Sequence, residues 1–262
     1  MININDNRKT HNIQGSLMYL DKKDSLFLSK NKVYEPLTTK VLKELINEKD
    51  VILDMGANIG YYTLIFAKCT GNKGKVFAFE PQCDNFNILK QNVLLNGLSN
   101  VIVENYALSD IEQERNLFLC TANSAMHSIY PQDYCYSAVK TKCISIDDYF
   151  KDSQMEINFA KIDIEGAEYF AIKGMQSIIN NNENIKLCIE FSPYCLKTAG
   201  IESKDLLYLL QNIGFYLYNI DEDKGCVYPL DINQTINTYT DEKENFTNIL
   251  CIKNTCKNIY VK

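Results

Sequence analysis

The stretch VILDMGANIG, residues 51–60, most narrows what this chain can become. Val51, Ile52 and Leu53 are apolar on both faces of a strand, Asp54 follows, and Gly56 and Gly60 enclose Ala-Asn-Ile. The pattern predicts a buried strand, a tight turn and the start of a helix. Glycines give such a turn its backbone freedom and let a ligand approach the N–H groups that open the next helix. A strand feeding a helix in this way is the opening unit of a parallel α/β sheet.

The rest of the chain keeps that rhythm. Pro36 opens a helix in which Leu37, Val41, Leu42, Leu45 and Ile46 recur at helical spacing, and Leu64, Ile65 and Ala67 mark the helix after the glycine turn. Val76 to Phe79 is a second strand; Asp84 is placed to cap a helix carrying Phe86, Leu89 and Val93 that stops at Asn96-Gly97. Val101 to Val103, INFAKID and LCIEF are further short strands. Ala167, Phe170, Ala171, Gly174, Met175 and Ile178 predict one continuous helix, and Leu206, Leu207 and Leu210 another that ends at Gly214. FYLYN and NILCI are late strands with a polar, acidic loop between them. The expected fold is α/β: a mostly parallel sheet with helices on both faces. Residues 1–35 are read as an N-terminal extension and 36–262 as one domain. An insertion at about 110–150 carries NLFLC and KTKCISI around the tyrosine-rich HSIYPQDYCYSAVK.

Charge and composition exclude several functions. A formal net charge of −6 and a pI near 5.1 argue against a grip on the phosphate backbone of nucleic acid. The sequence has no apolar run of about 18 residues, and its polar start, MININDNRKTHNIQ, predicts neither a membrane span nor a signal peptide, hence a cytoplasmic protein. Ten cysteines without a C-x-x-C pair read as small buried thiols, and His11 and His127 are too far apart in sequence to suggest a Cys/His zinc site.

A sheet of this kind binds ligands beyond the carboxyl ends of its strands. Glu80 ends the second strand in FAFEP, placed to accept hydrogen bonds from ribose hydroxyls. Dinucleotides and S-adenosylmethionine both ask for that much. A pyrophosphate favours G-x-G-x-x-G, which DMGANIG lacks, and Asp54 would oppose its charge. S-adenosylmethionine carries a sulfonium and an ammonium against one carboxylate, so an acidic rim attracts it. Each residue also has a packing explanation: Asp54 as a cap, Gly60 for helix packing, Glu80 as an exposed strand end beside Pro81. Their order along the chain favours the ligand.

VILDMGANIGYYT, FAFEPQCDNFNILKQNVLLNG, NYALSD, ISIDDYF and KIDIEGAEYFAIKG, in that order, resemble the FkbM-type methyltransferases, which depend on S-adenosylmethionine. The resemblance runs from about Tyr34 to Pro193. It implies a Rossmann-like methyltransferase fold, a mostly parallel seven-stranded sheet with an antiparallel last strand, and methyl transfer most often to oxygen on sugars or secondary metabolites. Carried over, it implies that Asp54, Gly56, Asn58 and Gly60 surround the methionine part of the cofactor, that Glu80 holds the ribose, and that Ala107 lies against adenine. The acceptor is expected to be a small molecule or glycan precursor.

Methyl transfer to a hydroxyl needs alignment and a proton acceptor. Asp163, Glu165 and Glu190 lie at the ends of the fourth and fifth strands. Asp163 is the favoured residue beside the donor methyl and the acceptor hydroxyl. Asp163 and Glu190 can serve as base, acceptor anchor or metal ligands, and no metal is assigned. Glu168 is explained as a helix-dipole partner and Glu165 as a possible cap of the same helix. Glu35, in Tyr34-Glu35-Pro36, either approaches the ligands or serves helix entry. His127 is read as a solvated loop residue, and Tyr130, Tyr134 and Tyr136 as a ring-stacking set or a satellite core. Tyr136 and Lys140 also have the spacing of a nicotinamide-enzyme proton relay, which keeps an NAD(P)-dependent oxidoreductase or epimerase as a rival. A non-catalytic cofactor-binding scaffold is the other.

Overall fold

The computed structural model describes residues 9–242 and 245–253, apart from the Tyr136 side chain. In chain order, a hairpin of β1 (His11–Ile13) and β2 (Ser16–Met18) leads through α1 (Leu28–Asn31) to α2 (Pro36–Leu45). Then β3 (Val51–Met55), α3 (Tyr61–Thr70), β4 (Lys75–Phe79), α4 (Cys83–Leu95) and β5 (Val101–Glu104) alternate as the sequence predicts. A small sheet follows, from β6 (Ala107–Leu108), β7 (Gln113–Cys120) and β8 (Cys135–Ile144), and then α5 (Ile146–Tyr149). The main sheet resumes with β9 (Phe159–Ile162), α6 (Glu168–Lys173), α7 (Gln176–Asn181), β10 (Lys186–Phe191), α8 (Pro193–Thr198) and α9 (Ser203–Asn212). It closes with β11 (Tyr216–Asp221), β12 (Cys226–Pro229), α10 (Ile232–Thr238) and β13 (Thr247–Ile252).

The main sheet has the order β12-β11-β13-β10-β9-β3-β4-β5. Strands β10, β9, β3, β4 and β5 run parallel, and β13 inserts antiparallel between β10 and β11. The seven expected strands and the antiparallel last one are all present. An eighth, β12, adds to the edge by pairing antiparallel with β11. The acidic loop of the sequence reading therefore holds a strand and the helix α10, because Asp221, Lys224 and Tyr228 tie a compact hairpin there: Lys224 Nζ lies 2.8 Å and Tyr228 OH 3.0 Å from Asp221 Oδ2.

Helices cover both faces. Leu53 and Met55 of β3 pack with α5 to α10, whereas Ile52 packs with α1 to α4 and the β1–β2 hairpin. This period of two decides which side chains meet at the strand ends. Asp54 shares a face with Ile52, Lys161 with Phe159, and Glu190 with Cys188, so all three point to the side of α2 and α3. The N-terminal segment is part of that layer. Asn92 of α4 is fully buried, accepts from Tyr19 N at 2.7 Å and donates to Tyr19 O at 3.0 Å and Ile59 O at 2.8 Å, which fastens the segment to the glycine turn.

Two local expectations are corrected. The cap of α4 is Gln82, whose side chain accepts from Asn85 N at 2.7 Å, and Asp84 sits in the first turn beside the positive helix end. The long helix after β9 is two short ones. The chain breaks at Gly174, where a Cβ would lie 2.2 Å from Ser109 O, and Asp147 accepts from Ser177 N and Ile178 N at 2.9 and 3.0 Å to start α7 afresh.

Candidate active site

The cleft at the carboxyl ends of β3, β4 and β9 spans about 820 Å³, open solvent at its mouth included. The glycine turn forms its floor. Gly56 has φ +88, and a Cβ there would stand 1.8 Å from Asp163 O, so the turn and the end of β9 are in backbone contact. Gly60 has φ +95 and faces Leu89, whose Cδ1 would lie 2.7 Å from an added Cβ. Asn58 is itself left-handed at φ 50 and holds the turn by accepting from Ile59 N at 2.7 Å. Asn and Asp tolerate this conformation better than other side chains do.

Glu80 is only 5% exposed, and each of its oxygens is fixed by a backbone donor: Asn58 N at 2.8 Å on one and Gln82 N at 2.8 Å on the other. The exposed strand end weighed from the sequence is therefore a buried acid that braces the glycine turn. Burial pushes its pKa up to about 7, against the pull of the two N–H groups. Asp54 is buried too and accepts from Thr63 Oγ1 of α3; burial raises it to about 6. Ala107 is buried in β6 and lines the same cleft.

The turn after β9 carries the acids. Lys161 is 2% exposed, with its ammonium 2.7 Å from Asp163 Oδ2 and 4.7 Å from the Tyr62 ring centre. Burial works against that ammonium, but the carboxylates of Asp163 and Glu35 outweigh it and raise the lysine pKa. Carboxylate oxygens of Asp163, Glu165 and Glu190 lie within 4.8 Å of one another. Burial, and then the Asp163 charge, pushes Glu165 and Glu190 above the usual carboxylate range. Asp163 and Glu165 line the cleft; Glu190 stands behind them on β10.

Glu165 is not a helix cap. Its carboxylate meets Cys195 Sγ at 3.5 Å, and its backbone is held at φ 53 by Ser128 Oγ, 2.6 Å from its carbonyl oxygen. Among the described residues no side chain caps α6; Glu168, its first residue, instead ties the turn before it by accepting from Ile164 N at 3.0 Å and Gly166 N at 3.0 and 3.2 Å. Burial raises Glu168 to about 7. Glu35 likewise leaves helix entry to Glu222, which accepts from Leu37 N and Thr38 N at 3.0 and 2.7 Å. Glu35 instead accepts from Tyr62 OH at 2.7 Å and from Asn248 Nδ2 at 2.8 Å.

His127 is half-buried and lines the cleft, with Nδ1 accepting from Cys120 N at 3.0 Å, and burial lowers its pKa. That corrects its reading as a solvated loop residue: the β7 chain reversal turns it inward. Tyr130 belongs to a satellite core, stacked 5.8 Å from Phe170 and under Arg115. Tyr134 stacks on Tyr194 at 6.3 Å. The Tyr136 side chain lies outside the described residues. Lys140 is exposed, pairs with Glu114 at 3.5 Å and does not line the cleft.

Lys161 is a buried residue of the cleft that the sequence reading passed over. A lysine inside an otherwise apolar strand, two residues before an acid, shares that acid's face and needs it as a partner. Tyr34, Tyr61 and Tyr62, packed edge to face at 5.0 to 6.5 Å, complete the wall on the α2–α3 side.

The profile of the methyltransferase FkbM domain matches residues 54–217. The hexuronic acid methyltransferase AglP of Haloferax volcanii is 30% identical over 176 residues, 65% of this chain and 65% of that relative's length. A tRNA(Phe) (4-demethylwyosine(37)-C(7)) aminocarboxypropyltransferase of Methanocaldococcus jannaschii is 43% identical over 56 residues, 21% of this chain and 22% of its own. Among solved structures, a putative rRNA-methylase from Clostridium thermocellum superposes with a TM-score of 0.50 at 10% identity, over 83% of this chain and 93% of that one. At that identity the likeness extends to the fold alone.

Proposed function

This chain belongs to the FkbM methyltransferase family; from that premise we propose that it is an S-adenosylmethionine-dependent methyltransferase acting on a hydroxyl group of a sugar or glycan precursor. The observation that carries the reading is the meeting, in one cleft, of the glycine turn braced by Glu80 with Asp163 and Glu165 after β9, backed by Glu190 of β10.

The cleft fits the cofactor in three respects. At Gly56 a Cβ would meet Asp163 O, so the turn closes directly on the end of β9 and the cleft floor there is backbone. Glu80 uses one acceptor site on each oxygen for the protein's own N–H groups, and a carboxylate has about four, so two remain for ribose hydroxyls. Asp54 adds anionic character suited to a cationic ligand. When bound, S-adenosylmethionine supplies a methyl group activated by its positively charged sulfur.

The protein's own contribution is placement and proton removal. Asp163 faces the cleft beside the turn and is the residue assigned to accept the hydroxyl proton. Lys161 is a positioning residue: its ammonium, pinned between Asp163 and the Tyr62 ring, fixes the orientation of the carboxylate. Glu165 and Glu190 define the acceptor end. The likeness to a hexuronic acid methyltransferase supports a sugar acceptor, and the net charge of −6 supports it over a nucleic acid. Mass spectrometry of acidic oligosaccharides incubated with the full chain and S-adenosylmethionine tests this: one added methyl, located on oxygen by NMR, is expected. Methylation of RNA with no sugar product would reject the acceptor assignment.

A further inference from the structure

The acids of the cleft fall into two groups. Those that build the fold have donors: Glu80 receives two backbone N–H groups, Glu168 receives those of Ile164 and Gly166, Asp54 has Thr63, and Glu35 has Tyr62 and Asn248. Glu190 does not. It is 7% exposed, yet its carboxylate accepts no hydrogen bond and makes no ion pair with any described residue, and it is aimed at Asp163 and Glu165. Glu165 has only the Cys195 thiol, a weak donor, at 3.5 Å. A carboxyl group more than nine-tenths buried with no protein donor among the described residues calls for an explanation.

We infer that Asp163, Glu165 and Glu190 form a binding site for one divalent cation, Mg²⁺ or Mn²⁺, at the acceptor end of the cleft. This rests on the assignment of the cleft as a methyltransferase site for a hydroxyl acceptor. Three arguments converge on it. The donor set is all oxygen, which suits hard cations. The three oxygens already lie within 4.8 Å of one another, while two ligands about 2.1 Å from a shared Mg²⁺ stand at most about 4.2 Å apart, so side-chain rotations of a few tenths of an ångström bring the trio onto one ion. The charges also match: the Lys161 ammonium is shared between Asp163 and Glu35, so among the described residues Glu165 and Glu190 have no cation in contact, and a divalent ion supplies one.

The surroundings hold the trio in place before any ion arrives. Ser128 Oγ grips the Glu165 carbonyl, Glu168 ties the N–H groups of Ile164 and Gly166, and Gly166 at φ +102 lets the turn press against Cys195 O. The three protein oxygens leave coordination positions for water and for oxygens of the acceptor. An ion there would draw in an acceptor that is itself acidic, which three bare carboxylates would repel, and would ease loss of the hydroxyl proton to Asp163.

The test is Mn²⁺ binding by the chelator-stripped full chain, read as the loss of the free-ion electron paramagnetic resonance signal. We expect one saturable site per chain, with affinity weakened about tenfold or more in Glu190→Gln and in Glu165→Gln, since ligand charge sets affinity at such sites. Thermal unfolding of each variant reports whether it is folded, and calorimetry with S-adenosylhomocysteine reports whether the donor half of the cleft is intact. Absence of Mn²⁺ binding, or binding by both folded variants as tight as by the wild-type chain, overturns the inference even if methyl transfer to a sugar proceeds. Mn²⁺ bound through Glu190 with no methylation of any hydroxyl upholds the site and rejects the acceptor reading instead. An amino sugar bound in place of Mn²⁺ would also overturn it.

Discussion

Replacing Gly56 by alanine tests whether the glycine turn is a ligand cradle set by backbone contact. Two penalties apply there. The first is conformational: a residue with a Cβ in the left-handed region costs about 1 to 2 kcal/mol. The second is a clash, because the new Cβ would sit 1.8 Å from Asp163 O and 2.8 Å from its carbonyl carbon, atoms of backbone that no rotamer change moves aside. Gly214 separates the two. It has φ +102, and a Cβ there meets nothing within 4 Å, so Gly214→Ala carries the conformational penalty alone. For a chain of this size about 1 kcal/mol corresponds to roughly 2 to 4 °C in Tm, so Gly214→Ala is expected to lower Tm by about 2 to 8 °C. Gly56→Ala must exceed that, and it must also weaken S-adenosylhomocysteine binding by calorimetry, because relief of the clash moves the turn away from Asp163. Equal Tm losses in the two variants, with cofactor affinity retained in Gly56→Ala, would refute the reasoning.

Other consequences follow from the same geometry. Glu80→Ala strips the partners from Asn58 N and Gln82 N; each orphaned donor costs about 1 to 3 kcal/mol, so both Tm and cofactor affinity should fall, and unchanged affinity would remove Glu80 from the ribose role. Lys161→Met leaves Asp163 and Glu35 without their buried cation, and an expected loss of about 3 to 5 kcal/mol is measurable by urea denaturation; a stable variant would show that the lysine is dispensable to the fold. The ligand-free protein should lose stability as pH rises from about 4.5 to 7. Glu80 and Glu168 are raised to about 7 and Asp54 to about 6, chiefly by burial, so the folded state binds more protons than the unfolded chain across that window. Thermal scans over pH 5 to 8 check the sign, and a Tm that rises through this range contradicts it.

The sheet was legible because its signals are local. Val51 to Leu53, Val76 to Phe79 and LCIEF are apolar on both faces and end in glycine turns or acids, which is what a strand buried between two helical layers requires. Asp54, Gly56, Glu80, Asp163 and Glu190 could be named in advance because strand ends of a parallel sheet converge by topology. What stayed hidden depends on contacts between distant segments. Gly174 looks like one member of an apolar stripe, and only the approach of Ser109 explains the helix break. His127 reads as a loop residue until β7 and its following turn fold it over the cleft. Glu222, which carried no expectation, takes the helix-entry role weighed for Glu35, because β11 and β12 bring it to the start of α2 across nearly the whole chain. Lys161 was the legible signal missed: an ionised side chain in the middle of a buried strand announces a partner, and Asp163 was already in view.

The central claim is that an anionic cleft with a backbone-lined floor holds a positively charged methyl donor. Calorimetric titration of the wild-type chain with S-adenosylmethionine and, in parallel, with NAD tests it most directly. The account predicts saturable one-to-one binding of S-adenosylmethionine, weakened in Glu80→Ala, and no heat of binding with NAD. Saturable NAD binding by a chain that ignores S-adenosylmethionine would contradict it.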